Sequence, residues 1–167
     1  MSAGFQNTGM TRNGIREAVG YTARFDHSER WCWFWQRQIY EITIAKHNPL
    51  VYVDEAGAWW MTDRHYFTDW GSVPPPLQSI PGLDRERHRF PFLFHDSGYQ
   101  EGGLWRSTDS GRTWLFIELA RVEVDKMLAE MIRHDIEPGG TVNRLAIFWG
   151  VRLGGAGHFG RGDLAKR

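Results

Sequence analysis

Apolar and polar residues alternate over Gln38-Ile39-Tyr40-Glu41-Ile42-Thr43-Ile44, the two-residue period of a strand with one buried face. Leu50-Val51-Tyr52-Val53 follows, then Asp54-Glu55-Ala56-Gly57 as a turn and Ala58-Trp59-Trp60-Met61 as a returning strand. The stretch from Trp31 to Met61 thus predicts a hairpin or small antiparallel meander. Pro74-Pro75-Pro76 and Pro81-Gly82 then make residues 67–85 an irregular connector through which no helix or strand passes. After it the period becomes helical. With Pro91 at the first helical position, Phe92, His95, Asp96 and Tyr99 fall at i, i+3, i+4 and i+7 on one face. Gly102-Gly103 ends this helix, and Asp109 or Ser110 caps a long second one reaching about His134, with Ile117, Ala120, Val124, Met127 or Leu128 and Met131 at helical spacing. Pro138-Gly139-Gly140 stops it, and Thr141 opens a third helix that runs to Gly154-Gly155. The predicted class is α+β: a small N-terminal antiparallel meander followed by three C-terminal helices. Residues 1–30 have no clear period and read as a loose arm with a short helix near Arg12–Val19; residues 31–160 read as a single domain and 161–167 as a frayed tail.

A chain of 167 residues that is 41% hydrophobic is long enough to bury a core without covalent staples. Twenty basic residues against twenty acidic ones remove any whole-chain attraction to nucleic acid or to an anionic membrane, so a nucleic-acid partner is not indicated. Cys32 is the single cysteine, which excludes an internal disulfide and a zinc knuckle. The first residues lack a basic start followed by an apolar run, and no window approaches a transmembrane segment, so the expected product is soluble and cytosolic when made. Nine tryptophans are unusual, five of them in Trp31-Cys32-Trp33-Phe34-Trp35 and Trp59-Trp60. They read as apolar payload for a small domain, or as an adhesive face for a partner subunit or a lipid interface.

The candidate chemistry lies in Phe94-His95-Asp96-Ser97-Gly98-Tyr99. Polar groups on an apolar helical stripe are costly unless each finds a partner. The second helix carries Arg121 and Asp125 one turn apart, able to pair, with Asp125 bordering the apolar stripe at Val124 and Leu128. Asp125 is placed to face His95 across the helix interface. A carboxylate on one imidazole nitrogen fixes the tautomer and leaves the other nitrogen to act on water as a general base. Asp96 points about 100° away from His95 on an ideal helix and is expected to be free to hold a metal, with Asp69, Ser72 and backbone carbonyls supplying further oxygens for a hard cation. Each feature also has a structural reading: a buried histidine bonded to a helix aspartate, and an Asx or Ser turn at Asp69 and Ser72 before the prolines. His88 reads as solvated, while His65, His134 and His158 follow no usable spacing. Gly154-Gly155-Ala156-Gly157 is not a phosphate loop, because no strand precedes it and no Lys-Ser/Thr follows.

Four pieces in order carry a resemblance: Phe67-Thr68-Asp69-x-x-Ser72-Val73-Pro74, His95-Asp96-x-x-Tyr99, Arg121-x-x-x-Asp125 and Gly150-Val151-Arg152-x-Gly154. Over roughly residues 38–157 the chain resembles the phage and prophage family known as domain of unknown function 1353. The segment Gly102–Arg112 is an insertion relative to that pattern. The resemblance implies a virus-encoded protein associated with tail, assembly or lysis functions. A second similarity concerns chemistry: His-Asp-x-x-Tyr on one helix, answered by an aspartate on another, is similar to the catalytic core of secreted phospholipases A2. It implies His95 as water-activating base, Asp96 as calcium ligand, Asp125 as the acid that orients the histidine and Tyr99 as a supporting hydrogen bond. The calcium loop and disulfides of those enzymes have no counterpart here.

Two functions follow as expectations. One is a metal-assisted hydrolase acting on a host-envelope substrate, using His95, Asp125 and Tyr99 with a divalent ion, calcium by analogy, at Asp96 and Asp69, supported by Ser72 and Arg121. The other is a non-catalytic virion or tail component, made in the host cytoplasm and carried in the particle, whose polar stripe specifies the fold. A His-Asp metal phosphohydrolase is a third reading; it requires His65 or His88 to converge with Asp125 on one ion.

Overall fold

In the computed structural model of the protein the described residues are 4–6, 21–32, 35–45, 49–69 and 88–134, with 4–6, 21, 29–32 and 35–37 described by backbone alone. In chain order they form β1 (Gly4–Gln6), β2 (Tyr21–Cys32), β3 (Trp35–Ile44), β4 (Val51–Val53), β5 (Trp59–Met61), β6 (His65–Thr68), α1 (Arg89–Glu101), β7 (Gly103–Ser107), β8 (Leu115–Glu118) and α2 (Arg121–His134). The strands make two antiparallel sheets, one in the order β1-β4-β5-β7-β8 and one in the order β2-β3-β6. The class is mixed α+β.

The predicted β4–β5 hairpin is present, with Val51 opposite Met61 and Val53 opposite Trp59. Asp54 fastens it: one carboxylate oxygen accepts the Ala58 N–H at 2.8 Å and the other accepts the Trp60 indole N–H at 2.7 Å. A turn carboxylate that satisfies both backbone and indole lets Trp60 enter the core without an orphaned donor. Ile42, Tyr52, Trp60, Tyr66, Leu93 and Leu104 belong to one buried cluster, so both sheets and α1 share a core, which α2 joins through Met131. The far end of α2 is tied to the β4–β5 turn, where Glu130 accepts from the Tyr52 hydroxyl at 2.8 Å and from the Glu55 N–H at 3.0 Å.

Several expectations are corrected. The segment read as a loose arm contains β1, which pairs with β4, and most of β2, which pairs with β3. The irregular connector begins later than expected, because Phe67 and Thr68 end strand β6. Pro91 is the third residue of α1, not the first, with His88 at the N-cap; its missing N–H still falls within the first turn, where donors lack helical partners. His88 is fully buried, not solvated. The largest correction is the long helix from Asp109. Residues 103–118 form instead the hairpin β7–β8, and α2 starts only at Arg121.

Asp109 caps a turn and not a helix: its Oδ1 accepts from the Ser107 hydroxyl at 2.6 Å and from the N–H groups of Arg112 and Thr113 at 3.1 and 2.9 Å. These bonds, the Ser107 hydroxyl first, hold its carboxyl well below the usual range. α2 has its own start signal, since Glu123 Oε2 accepts the Ala120 N–H at 2.7 Å while the Ala120 carbonyl accepts the Glu123 N–H at 2.8 Å. The predicted helix near Arg12–Val19, the third helix from Thr141 and the tail lie outside the described residues.

Gly98 brings the two helices together. A Cβ there would lie 3.0 Å from Val124 Cγ1, so any side chain at this position requires Val124 to give way. Gly98→Val is expected to lower unfolding free energy by about 1–3 kcal/mol in urea denaturation, the range of overpacked cores; an unchanged midpoint would mean the helices are not in this contact.

Candidate functional site

α1 is buried almost all round, with nine of its thirteen residues from Phe90 to Tyr99 inaccessible. Every polar side chain it carries inward must therefore be matched. Ser97 Oγ accepts the Asp63 N–H at 3.0 Å. The Gln100 carboxamide works like a strand edge: its oxygen accepts the Phe67 N–H at 2.9 Å, and its NH2 donates to the Phe67 carbonyl. Asp96 Oδ2 accepts from the Thr68 hydroxyl at 2.5 Å. Three α1 side chains thus grip β6 and the turn before it.

His95 and Tyr99 of α1 meet α2. His95 Nε2 lies 3.1 Å from Asp125 Oδ1, and the Tyr99 hydroxyl donates to the same oxygen. Tyr99 in turn accepts from Arg121 Nε at 3.0 Å, and Arg121 Nε is 4.0 Å from Asp125 Oδ2. The His95 and Tyr99 rings stack at 4.0 Å between centroids, tilted by 37°. His95, Tyr99, Arg121 and Asp125, chosen from spacing alone, form one network.

Asp96 departs from expectation. Its Oδ1 is 3.5 Å from His95 Nδ1 while its Oδ2 holds Thr68, so it is engaged and not pointing away. The imidazole consequently sits between two carboxylates. Burial works against a charged His95, yet hydrogen bonds to Asp125 and Asp96 and their negative charges outweigh it, and the net shift is upward. Asp96 is also pushed up, chiefly by burial and then by the like charge of Asp69, against the opposing pull of His95 and Thr68. Burial and the bond to Asp125 push Tyr99 up, so it remains a phenol donor.

Accessibility is uneven. The Asp125 side chain is 0% exposed and that of His95 5%, whereas Asp96 keeps 16% and Arg121 21%, so water meets the network at those two ends. Among the described residues no three His, Cys, Asp or Glu side chains converge as a metal-ligating group. Besides His95 Nδ1, the groups near Asp96 are oxygens, the Thr68 hydroxyl and the negatively charged Asp69, and oxygen donors of this kind suit a hard cation. Ser72 lies outside the described residues. His65 and His134 are elsewhere, bonded to Glu41 and Glu55 at 2.7 and 2.8 Å.

Thr68 and Gln100 were not singled out from sequence. Thr68 stands beside Asp69 in the first motif piece, the one local signal; Gln100 follows Tyr99 and gave none. Comparison with protein-family models, curated proteins and solved structures finds no match to this chain.

Two outcomes test the network. A raised imidazole favours folding in full below its ordinary value of 6.5 and loses that contribution as pH rises through the folded value. Asp96, also raised, acts in the same direction from its ordinary 3.8 upward. Urea midpoints are therefore expected to fall from pH 6 to pH 9, with a flatter profile in Asp125→Asn; a profile rising toward alkaline pH would break the assignment. Tyr99→Phe leaves Asp125 short of a donor and is expected to cost about 1–3 kcal/mol, read by the same denaturation.

Proposed function

We propose that this chain is a phage- or prophage-encoded, hydrolase-like protein that acts on the host envelope, with His95 as general base. The observation that carries the reading is the pair of bonds on Asp125 Oδ1, from His95 Nε2 and Tyr99 Oη, because that arrangement fixes the tautomer. With Nε2–H directed at Asp125, Nδ1 is the nitrogen left to take a proton from water, and it faces the partly exposed Asp96 end. Arg121 and Tyr99 keep Asp125 in place. Asp96 and Asp69 would hold a divalent cation, calcium by analogy, and when bound that ion supplies positive charge beside Nδ1 and favours the neutral imidazole a base requires. The viral source, and an association with lysis or the tail, rest on the four motif pieces.

A specific observation favours a second reading, a non-catalytic virion or tail component. Asp125 and His95 are nearly sealed, and a buried, fully matched polar network also serves to specify one packing of two helices.

Activity separates them. With calcium present, purified protein is expected to release fatty acid from phospholipid vesicles, and His95→Asn to retain its circular dichroism while losing about 10²–10⁴-fold in rate. A folded His95→Asn protein with full turnover would exclude the base assignment; a wild type inert on phospholipid and on peptidoglycan, yet co-purifying with particles, would establish the structural reading. Calcium at about 100 times its Kd is expected to stabilise the wild type by about 2.7 kcal/mol and Asp96→Asn by much less, measured as thermal shift against a chelator control.

A further inference from the structure

β8 is the last strand of the five-stranded sheet, and among the described residues it pairs with β7 alone. Strand alternation fixes which of its backbone groups are open. Ile117 lies opposite Leu104 and the Leu119 N–H donates to the Gly102 carbonyl at 3.0 Å, so the odd-numbered residues turn their backbone groups toward β7. Phe116 and Glu118 therefore direct theirs outward, away from the sheet. Natural edge strands are commonly blunted by lysine, proline or a bulge. β8 has the sequence Leu-Phe-Ile-Glu, and its pairing with β7 runs without a bulge.

Apolar side chains gather at the same edge. Of the four large hydrophobic residues exposed among the described residues, three are Leu115, Phe116 and Val122, and Leu115 is the most open at 64%. Phe116 lies on the outer face of the sheet against Trp105, with ring centroids 5.5 Å apart. Trp114 reaches that face too, because a Cβ on Gly111 would lie 3.4 Å from both Trp114 and Trp59. Arg112 and Glu118, of opposite charge and both exposed, bound the segment at its two ends.

This segment complements itself. In antiparallel pairing about a twofold axis, one register sets Leu115 opposite Leu115 of a second copy, Phe116 opposite its Trp114 and Glu118 opposite its Arg112. Phe116 and Glu118 then occupy hydrogen-bonded positions, as their outward backbone groups require, and Leu115 a non-hydrogen-bonded one, where side chains approach most closely. Aromatic and opposite-charge pairs facing each other across strands both stabilise a sheet. Centring the axis on Phe116 or Ile117 instead sets Glu118 opposite Trp114 or Phe116 and loses the ion pairs, and centring it on Glu118 opposes two carboxylates.

We propose that β8 is a self-association edge, at which two copies of this chain pair antiparallel with Leu115 on the axis and join their five-stranded sheets into one. A pairing this short is weak beside interfaces that bury about 800 Å² per partner, so the dimer forms in a concentration-dependent way. The proposal does not depend on the His95 network, and the two fail separately.

The test is analytical ultracentrifugation of the full chain from about 1 to about 500 µM, with amide exchange measured at both ends of that range. Wild type and His95→Asn are expected to pass equally from monomer to dimer, and exchange at Phe116 and Glu118 to slow as they do. Leu115→Lys puts like charges on the axis and is expected to weaken the dimer about tenfold or more. Arg112→Glu and Glu118→Arg are each expected to weaken it, and the double variant Arg112→Glu/Glu118→Arg to restore it. All three positions are exposed, and circular dichroism checks that each variant keeps its fold. A wild type that stays monomeric throughout overturns the proposal. So does a dimer that Leu115→Lys leaves intact, or one indifferent to the single charge reversals.

Discussion

A carboxylate with no exposed surface, Asp125, sets the terms for the centre of this protein. An ion taken out of water is tolerated only when donors surround it, and the loss of one of them costs far more than the pair contributes. Its partners come from two helices: His95 and Tyr99, one turn apart on α1, bond to it, and Arg121 of its own helix sets a positive charge 4.0 Å away. Those contacts require α1 and α2 to lie very close, which the absent side chain at Gly98 permits against Val124. The choice of glycine inside a helix, unfavourable by about 1 kcal/mol against alanine, follows from the need to satisfy one acid.

α1 connects that acid to the sheets. On one side it meets α2 through His95 and Tyr99; on another it completes β6, with Gln100 standing in for a neighbouring strand and Asp96 taking the Thr68 hydroxyl. Asp96 is consequently positioned by a sheet while Asp125 is positioned by a helix, and the imidazole lies where the two supports meet. A shift of β6 or of α2 would alter which carboxylate holds the imidazole more closely. The geometry of the centre is thus a property of the whole core and not of the His-Asp segment alone.

The parts legible from sequence are those whose cause is local. His95 and Tyr99 share a face because a helix turns once in about 3.6 residues, and Arg121 and Asp125 for the same reason, so an apolar stripe interrupted by matched polar residues announced all four. The β4–β5 hairpin was legible because alternation and the Asp54–Gly57 turn coincide. The β7–β8 hairpin was not: its strands have five and four residues, and Ile117 lies seven positions before Val124, which imitates helical spacing. Ser107, Asp109, Gly111 and Thr113 contained the turn signal, but their bonds run within the turn and an aspartate before an apolar run reads equally well as a helix cap. The engagement of Asp96 was illegible because Thr68 is 28 positions away, and the strand pairing of residues 21–32 because the side chains of 22–28 are exposed and form no buried face to betray it.

The formal charges of the network explain why it can be both buried and responsive. His95 and Arg121 as cations face Asp96 and Asp125 as anions, a balanced set that burial penalises least. Asp69 adds a negative charge beside Asp96, and its repulsion is one of the reasons Asp96 resists ionisation. Protonating Asp96 relieves that excess, and so would a positive ion held by the two acids; but the first leaves the imidazole with one carboxylate and the second leaves it beside a cation. The two outcomes push His95 toward different degrees of neutrality. The surplus acid at the exposed end of the network, and not the sealed Asp125, is therefore where the balance between a structural knot and a base is decided.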